Sequence, residues 1–172
     1  QNGRQIIKAV TYDNFGYQGE ATSYVNVLKS TPVDPGTVDF EGHPLLDSIA
    51  QFKEKDSVEE FKRMNSIPDK KLIAVLPGSR EYEIRENLKT MQSISEKYTD
   101  YQFVIAGMSC FPLDFYQKYI TANNISVVFD QTYELLKKSE AAIVVSGSAT
   151  LETAILNIPE IIVYQTNPIT WY

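Results

Sequence analysis

Two short segments concentrate small, hydroxyl-bearing and charged residues in an order that suits anion binding: Pro77-Gly78-Ser79-Arg80 and Ser146-Gly147-Ser148-Ala149-Thr150-Leu151-Glu152. In the first, Gly78 permits close backbone approach, the free amides of a following helix would face outward, and Arg80 adds a fixed positive charge. An anion, such as a phosphate, is the expected visitor, although Arg80 could instead only pair with Glu81 or Glu83. In the second, Ser146, Ser148 and Thr150 place hydroxyls, and Gly147 a bare backbone, beside the amides of a helix start, an arrangement that can accept a pyrophosphate. Glu152, one turn into that helix, can accept two hydrogen bonds from a ribose diol, or can simply sit well near the positive helix end.

Neither segment is a Walker A loop, which needs Gly-Lys-Ser/Thr, and neither is a GxGxxG fingerprint, so ATP and NAD lose ground. What remains is a metal-free nucleotide site with no cofactor. One histidine and one cysteine give a zinc site little to stand on. His43, in Glu41-Gly42-His43-Pro44, could act as an acid, base or ligand, but such a histidine more often fixes a turn. The 11 tyrosines are scattered rather than spaced as a stacking platform and read as packing.

These segments need a scaffold, and from residue 72 onward short apolar runs alternate with longer amphipathic ones, the pattern of a parallel sheet with crossover helices. Leu72 to Leu76 is a buried strand closed by Pro77-Gly78, and Ile84, Leu88, Met91, Ile94 and Tyr98 recur at helical spacing after it. Phe103 to Ala106 is a second strand. A helical stretch with Phe115, Tyr119 and Ile120 runs on toward Asn123-Asn124, and Val127 to Phe129 is a third strand. Asp130 is placed to cap the helix carrying Leu135 and Leu136. Strand 141–145 leads into the second loop, helix 149–157 and strand 161–164. Upstream, the sequence predicts a strand at 38–41 and one or two polar helices between about 45 and 65. Strands at 6–10 and 24–28 flank a turn-rich segment at 13–17, and Pro32 to Gly36 reads as a linker. The division is therefore an N-terminal segment, 1–36, and a Rossmann-like α/β lobe, 37–172.

Composition agrees with an ordinary globular chain: 43% of the 172 residues are apolar and 22% charged. A chain of this length buries roughly 70% of its unfolded surface, enough for a core without disulfides or structural metal. The lone Cys110 points to a reducing compartment and a small core or loop position. The net charge of −6 argues against nucleic acid as a partner and lends no support to an anionic membrane. No apolar run approaches the roughly 18 residues needed to span a bilayer, and the N-terminus lacks the regions of a signal peptide, so the expected location is cytoplasmic.

Taken together, Gly42-His43-Pro44-Leu45-Leu46-Asp47, Leu76 to Arg80 with Glu83-Ile84, Phe103 to Gly107, and Ser146 to Ala154 resemble the lipid-A-disaccharide synthase family of Gram-negative bacteria over about residues 38–172. The resemblance implies a two-lobed GT-B glycosyltransferase whose C-terminal Rossmann-like lobe holds the UDP-sugar, this chain being mostly that lobe. The implied reaction moves 2,3-diacylglucosamine from UDP onto 2,3-diacylglucosamine 1-phosphate in lipid A biosynthesis, with inversion and without metal. It assigns Gly78, Ser79, Arg80, Ser146, Gly147, Ser148, Thr150 and Glu152 to the UDP-sugar.

The resemblance also implies that the catalytic carboxylate lies in an N-terminal lobe that this chain does not contain. No catalytic residue is therefore expected here, the chain alone should not turn over, and peripheral contact with the inner membrane falls to the missing lobe. The sequence departs from the family over residues 1–36, at Gln165, where a basic residue usually follows the tyrosine of the last strand, and at Trp171-Tyr172, beyond which the family continues. Other readings are another UDP-sugar transferase or epimerase, and a non-catalytic nucleotide-binding module.

Overall fold

The computed structural model describes residues 4–12, 18–26 and 43–164. Strand β1 (Arg4–Tyr12) pairs antiparallel with β2 (Gln18–Asn26) as a two-stranded sheet of its own. The strand expected at 6–10 falls inside β1. The second expected strand starts earlier than the sequence suggests, at Gln18, because its polar first half pairs with β1 as readily as its apolar end. The turn at 13–17, the linker at 32–36, the strand at 38–41, Gln165 and Trp171-Tyr172 lie outside the described residues.

From Pro44 the chain runs α1 (Pro44–Gln51), α2 (Val58–Met64), β3 (Lys71–Leu76), α3 (Glu81–Ser95), β4 (Tyr101–Gly107), α4 (Leu113–Gln117), β5 (Ile125–Phe129), α5 (Thr132–Lys137), β6 (Ser139–Val145), α6 (Ser148–Ile155) and β7 (Glu160–Val163). The five strands β3 to β7 form one parallel sheet in the order β5-β4-β3-β6-β7. This is the Rossmann-like α/β sheet that the alternating runs predict.

Side chains on successive strand positions point to opposite faces, and here both faces are covered, so the strands read as unbroken apolar runs. On one face Leu72, Ala74 and Leu76 join Val104, Val144, Leu135 and Leu136 with Phe61 of α2. On the other, Val75, Ile105 and Ile143 pack against Ile84, Leu88 and Met91 of α3 and Tyr116 of α4. The α3 residues are four and three apart, which aligns them on one side of the helix.

Several helix boundaries differ from the sequence reading, each for a tertiary reason. Helix α3 stops at Ser95, whose hydroxyl donates back to the Gln92 carbonyl at 2.8 Å, so Tyr98 lies beyond it, exposed. Helix α4 is only five residues long. The Gln92 side chain accepts from the Thr121 amide at 2.8 Å and donates to its hydroxyl at 2.6 Å, drawing the chain off the helix path, while Tyr119 and Ile120 still pack into the core. Asp130 does not cap α5. It sits at a positive φ of 56°, the N-cap is Gln131, and the Gln131 amide is engaged with Asn65 at 3.0 and 3.2 Å.

Candidate functional site

Strands β4 and β5 lie on one side of β3, whereas β6 and β7 lie on the other, so the chain reverses its direction across the sheet between β3 and β6. Ligands of open parallel sheets bind beyond the carboxyl ends of strands at such a reversal. Leu76 is in register with Val144, which brings the loops after β3 and β6, far apart in sequence, side by side. They bound an open groove of about 360 Å³. Gly78, Ser79, Arg80, Ser146, Gly147, Ser148 and Glu152 all line it.

The two helix starts at the groove differ. At α6, the Ser146 amide is used by the Val163 carbonyl at 3.0 Å and the Thr150 amide by the Gly147 carbonyl at 3.2 Å. The amides of Gly147, Ser148 and Ala149 have no acceptor among the described residues, as expected for the first turn of a helix, and they are the anion-ready donors. Gly147 is extended, and a Cβ on it would come no nearer than 3.9 Å to the Val145 carbonyl, so the backbone there is open. Thr150 does not line the groove, because its hydroxyl donates to the Gly147 carbonyl at 2.7 Å and secures the helix start instead.

At α3, an internal carboxylate already occupies the donors. Glu83 Oε2 accepts from the amides of Ser79 at 3.2 Å and Arg80 at 3.3 Å, and its Oε1 accepts from the Arg80 guanidinium at 3.1 Å. This is the glutamate half of a capping box; arginine at the N-cap has no acceptor with which to complete it. Gly78 has φ +113°, and a Cβ there would meet Glu83 Oε2 at 2.8 Å. Its close backbone approach is therefore to Glu83.

Glu152 faces the groove from α6, where burial raises its carboxyl above the usual range and a hydrogen bond with the Tyr133 hydroxyl pulls it partly back. Tyr133 is raised in turn, by burial first and then by Glu152. Its ring stands edge-on to Phe52 with centroids 5.5 Å apart. The groove is also lined by Met108, just past the end of β4, and by Thr132, the first residue of α5. The Met108 amide donates to the hydroxyl of the fully buried Tyr116 at 2.7 Å. Neither Met108, Thr132 nor Tyr133 is singled out by local sequence. The rule that ligands lie beyond all strand ends points to the first two, whereas Tyr133 depends on the fold bringing it to Glu152.

His43 caps α1, its Nδ1 accepting from the Leu45 amide at 3.2 Å, which is the turn-fixing role. Cys110 is exposed in a loop and makes no disulfide. Among the described residues no cluster of three or more histidine, cysteine or carboxylate side chains could hold a metal ion, and no helix is long and apolar enough to cross a membrane.

A family model described as lipid-A-disaccharide synthetase matches residues 33–172. The chain belongs to that family. Lipid-A-disaccharide synthase of Persephonella marina is 36% identical over 162 residues, covering 81% of this chain and 39% of the relative. Those of Campylobacter jejuni and Geobacter sulfurreducens are 33% and 30% identical over 130 and 140 residues, covering 74% and 78% of this chain. The chain thus spans little more than a third of the length of these relatives, 34 to 39%. Among solved structures, the glycosyltransferase SnogD from Streptomyces nogalater is 25% identical with a TM-score of 0.42, covering 56% of this chain and 26% of that one. The beta Kdo 2,7 transferase KpsC of Thermosulfurimonas dismutans is 19% identical with a TM-score of 0.40, covering 61% and 38%.

Proposed function

We propose that this chain is the nucleotide-sugar-binding lobe of a two-lobed GT-B glycosyltransferase. Its reaction is the transfer of 2,3-diacylglucosamine from UDP to 2,3-diacylglucosamine 1-phosphate, forming lipid A disaccharide 1-phosphate. The observation that carries this reading is the groove at the strand reversal, where the open amides of α6 and the Arg80 guanidinium face one space in a chain of this family.

The chemistry follows from these groups. When the sugar C1–O bond breaks, the electron pair goes to the diphosphate, and charge that develops there needs fixed donors aimed at it. The amides of Gly147, Ser148 and Ala149 supply dipoles that cost no reorganisation, and Arg80 supplies a full charge in place of a cation. Glu152 accepts from the ribose diol of the same nucleotide. No group in the groove is assigned to take the acceptor's proton; that base, the acceptor site and the contact with the inner membrane belong to the parts of the relatives that this chain does not span. The working place of the enzyme is the cytoplasmic face of that membrane.

Calorimetric titration of the chain with UDP, against ADP and NAD, tests the reading. Selective UDP binding is expected at a dissociation constant of roughly 0.1 to 1 mM. It should be unchanged by chelator and weakened by about 1–3 kcal/mol in each of Arg80→Ala and Glu152→Ala. Equal affinity for the three nucleotides, or no effect of either substitution, removes the site. Preference for UDP carrying acylated glucosamine over UDP carrying other sugars separates this reading from other UDP-sugar transferases and epimerases.

A further inference from the structure

Glu83 makes with the loop after β3 the contacts that a bound phosphate would make: two backbone amides on Oε2 and a guanidinium on Oε1. The loop is shaped around it, since Gly78 adopts a positive φ and leaves its missing Cβ position to Glu83. The same carboxylate lines the groove together with Arg80. Of the two helix starts that meet there, one therefore carries its own anion and the other does not.

The contacts of Glu83 differ in how readily they exchange. Its ion pair with Arg80 joins a guanidinium that is 78% exposed, so water and salt screen it, and breaking it costs little. The amide contacts cap α3 and are retained as long as the helix is. We propose that Glu83 is an internal counter-anion of the groove: it neutralises Arg80, and a diphosphate binds by taking the guanidinium from it while Glu83 keeps the two amides. Glu83 thereby sets the charge a ligand must carry, because a group bearing two negative charges outcompetes a single carboxylate for Arg80 and an uncharged or weakly charged one does not. This rests on the reading that the groove receives the donor's diphosphate.

The test compares the wild-type chain with Glu83→Gln, whose amide oxygen can still accept from Ser79 and Arg80 but carries no charge. Titrations with inorganic pyrophosphate, UDP and uridine are run at two salt concentrations, with a thermal melt to show that the variant remains folded. Glu83→Gln is expected to bind pyrophosphate and UDP at least about threefold more tightly, with uridine unaffected and the gain shrinking as salt rises. Equal or weaker pyrophosphate binding by the variant, a gain that uridine shares, or no pyrophosphate binding by either protein would overturn the proposal. If the variant gains pyrophosphate affinity while UDP is bound no better than ADP, the counter-anion role stands and the donor assignment falls.

Discussion

A Cβ built on Gly78 would lie 2.8 Å from Oε2 of Glu83 and 2.9 Å from its Cβ, so the glycine and the glutamate occupy interlocking positions. With φ at +113°, any side chain at Gly78 meets both backbone strain and a collision. Gly78→Ala is expected to lower stability by about 1–3 kcal/mol in urea unfolding. Gly147→Ala, at an extended position with open space, should leave stability nearly unchanged and weaken UDP binding, because its methyl enters the groove. The reverse ranking in stability would show that the loop after β3 is not built around Glu83.

Glu152 and Tyr133 predict a pH dependence. Only the ionised carboxylate offers both oxygens to a diol, and burial holds the Glu152 carboxyl above its ordinary range. UDP affinity should therefore fall as pH drops through that raised value. Tyr133→Phe removes the hydrogen bond that stabilises the carboxylate, so the fall should begin at higher pH. Pyrophosphate affinity should not follow the same shift, since that ligand has no diol. A UDP profile identical in wild type and variant would dissociate Tyr133 from the site.

Glu160 begins β7, opposite Ala142 and at the far end of the strand from the groove. Burial pushes its carboxyl up to about 7, and its Oε2 is buried without a hydrogen-bond partner among the described residues. The folded state thus holds the proton more tightly than the unfolded state, and stability present below the unfolded value, about 4.5, is lost as pH rises through about 7. Thermal melts should show Glu160→Gln stabilising the chain at pH 8 and making little difference at pH 4.5. A gain of equal size at both pH values would assign it to packing rather than ionisation.

Lys138 has a fully buried ammonium between Glu134 and Glu54, and Glu134 also accepts from the Lys55 amide at 2.8 Å. The network fastens the segment between α1 and α2 to α5. Lys138→Met leaves the buried Glu134 without its counter-charge, and unfolding measurements should show a loss of about 3–5 kcal/mol. Replacing Glu134 by leucine in the same protein should recover part of that loss, because no uncompensated charge then remains. If the double variant is less stable than the single by the full effect of a second deletion, the two residues act independently.

The elements and loops that depend on neighbours along the chain were legible without a structure. Unbroken apolar runs between Leu72 and Val145, punctuated by Pro77-Gly78, Gly107 and Ser146-Gly147, mark strands β3, β4 and β6, because backbone geometry, turn chemistry and hydrophobic burial act locally. The same local chemistry marked both groove loops. Only the tertiary structure decided that β3 pairs with β6 although two strands intervene in the sequence, which makes neighbours of those loops, since strand order is settled by long-range packing. It also decided who holds each donor. Whether a helix-start amide is open at Ser148 or taken by Glu83 at Ser79, whether Thr150 turns to the groove or to Gly147, and whether Tyr133 reaches Glu152 all depend on side-chain rotamers and on where the fold places their neighbours. Residue type states what a group can donate or accept; position in the folded chain determines which partner it meets.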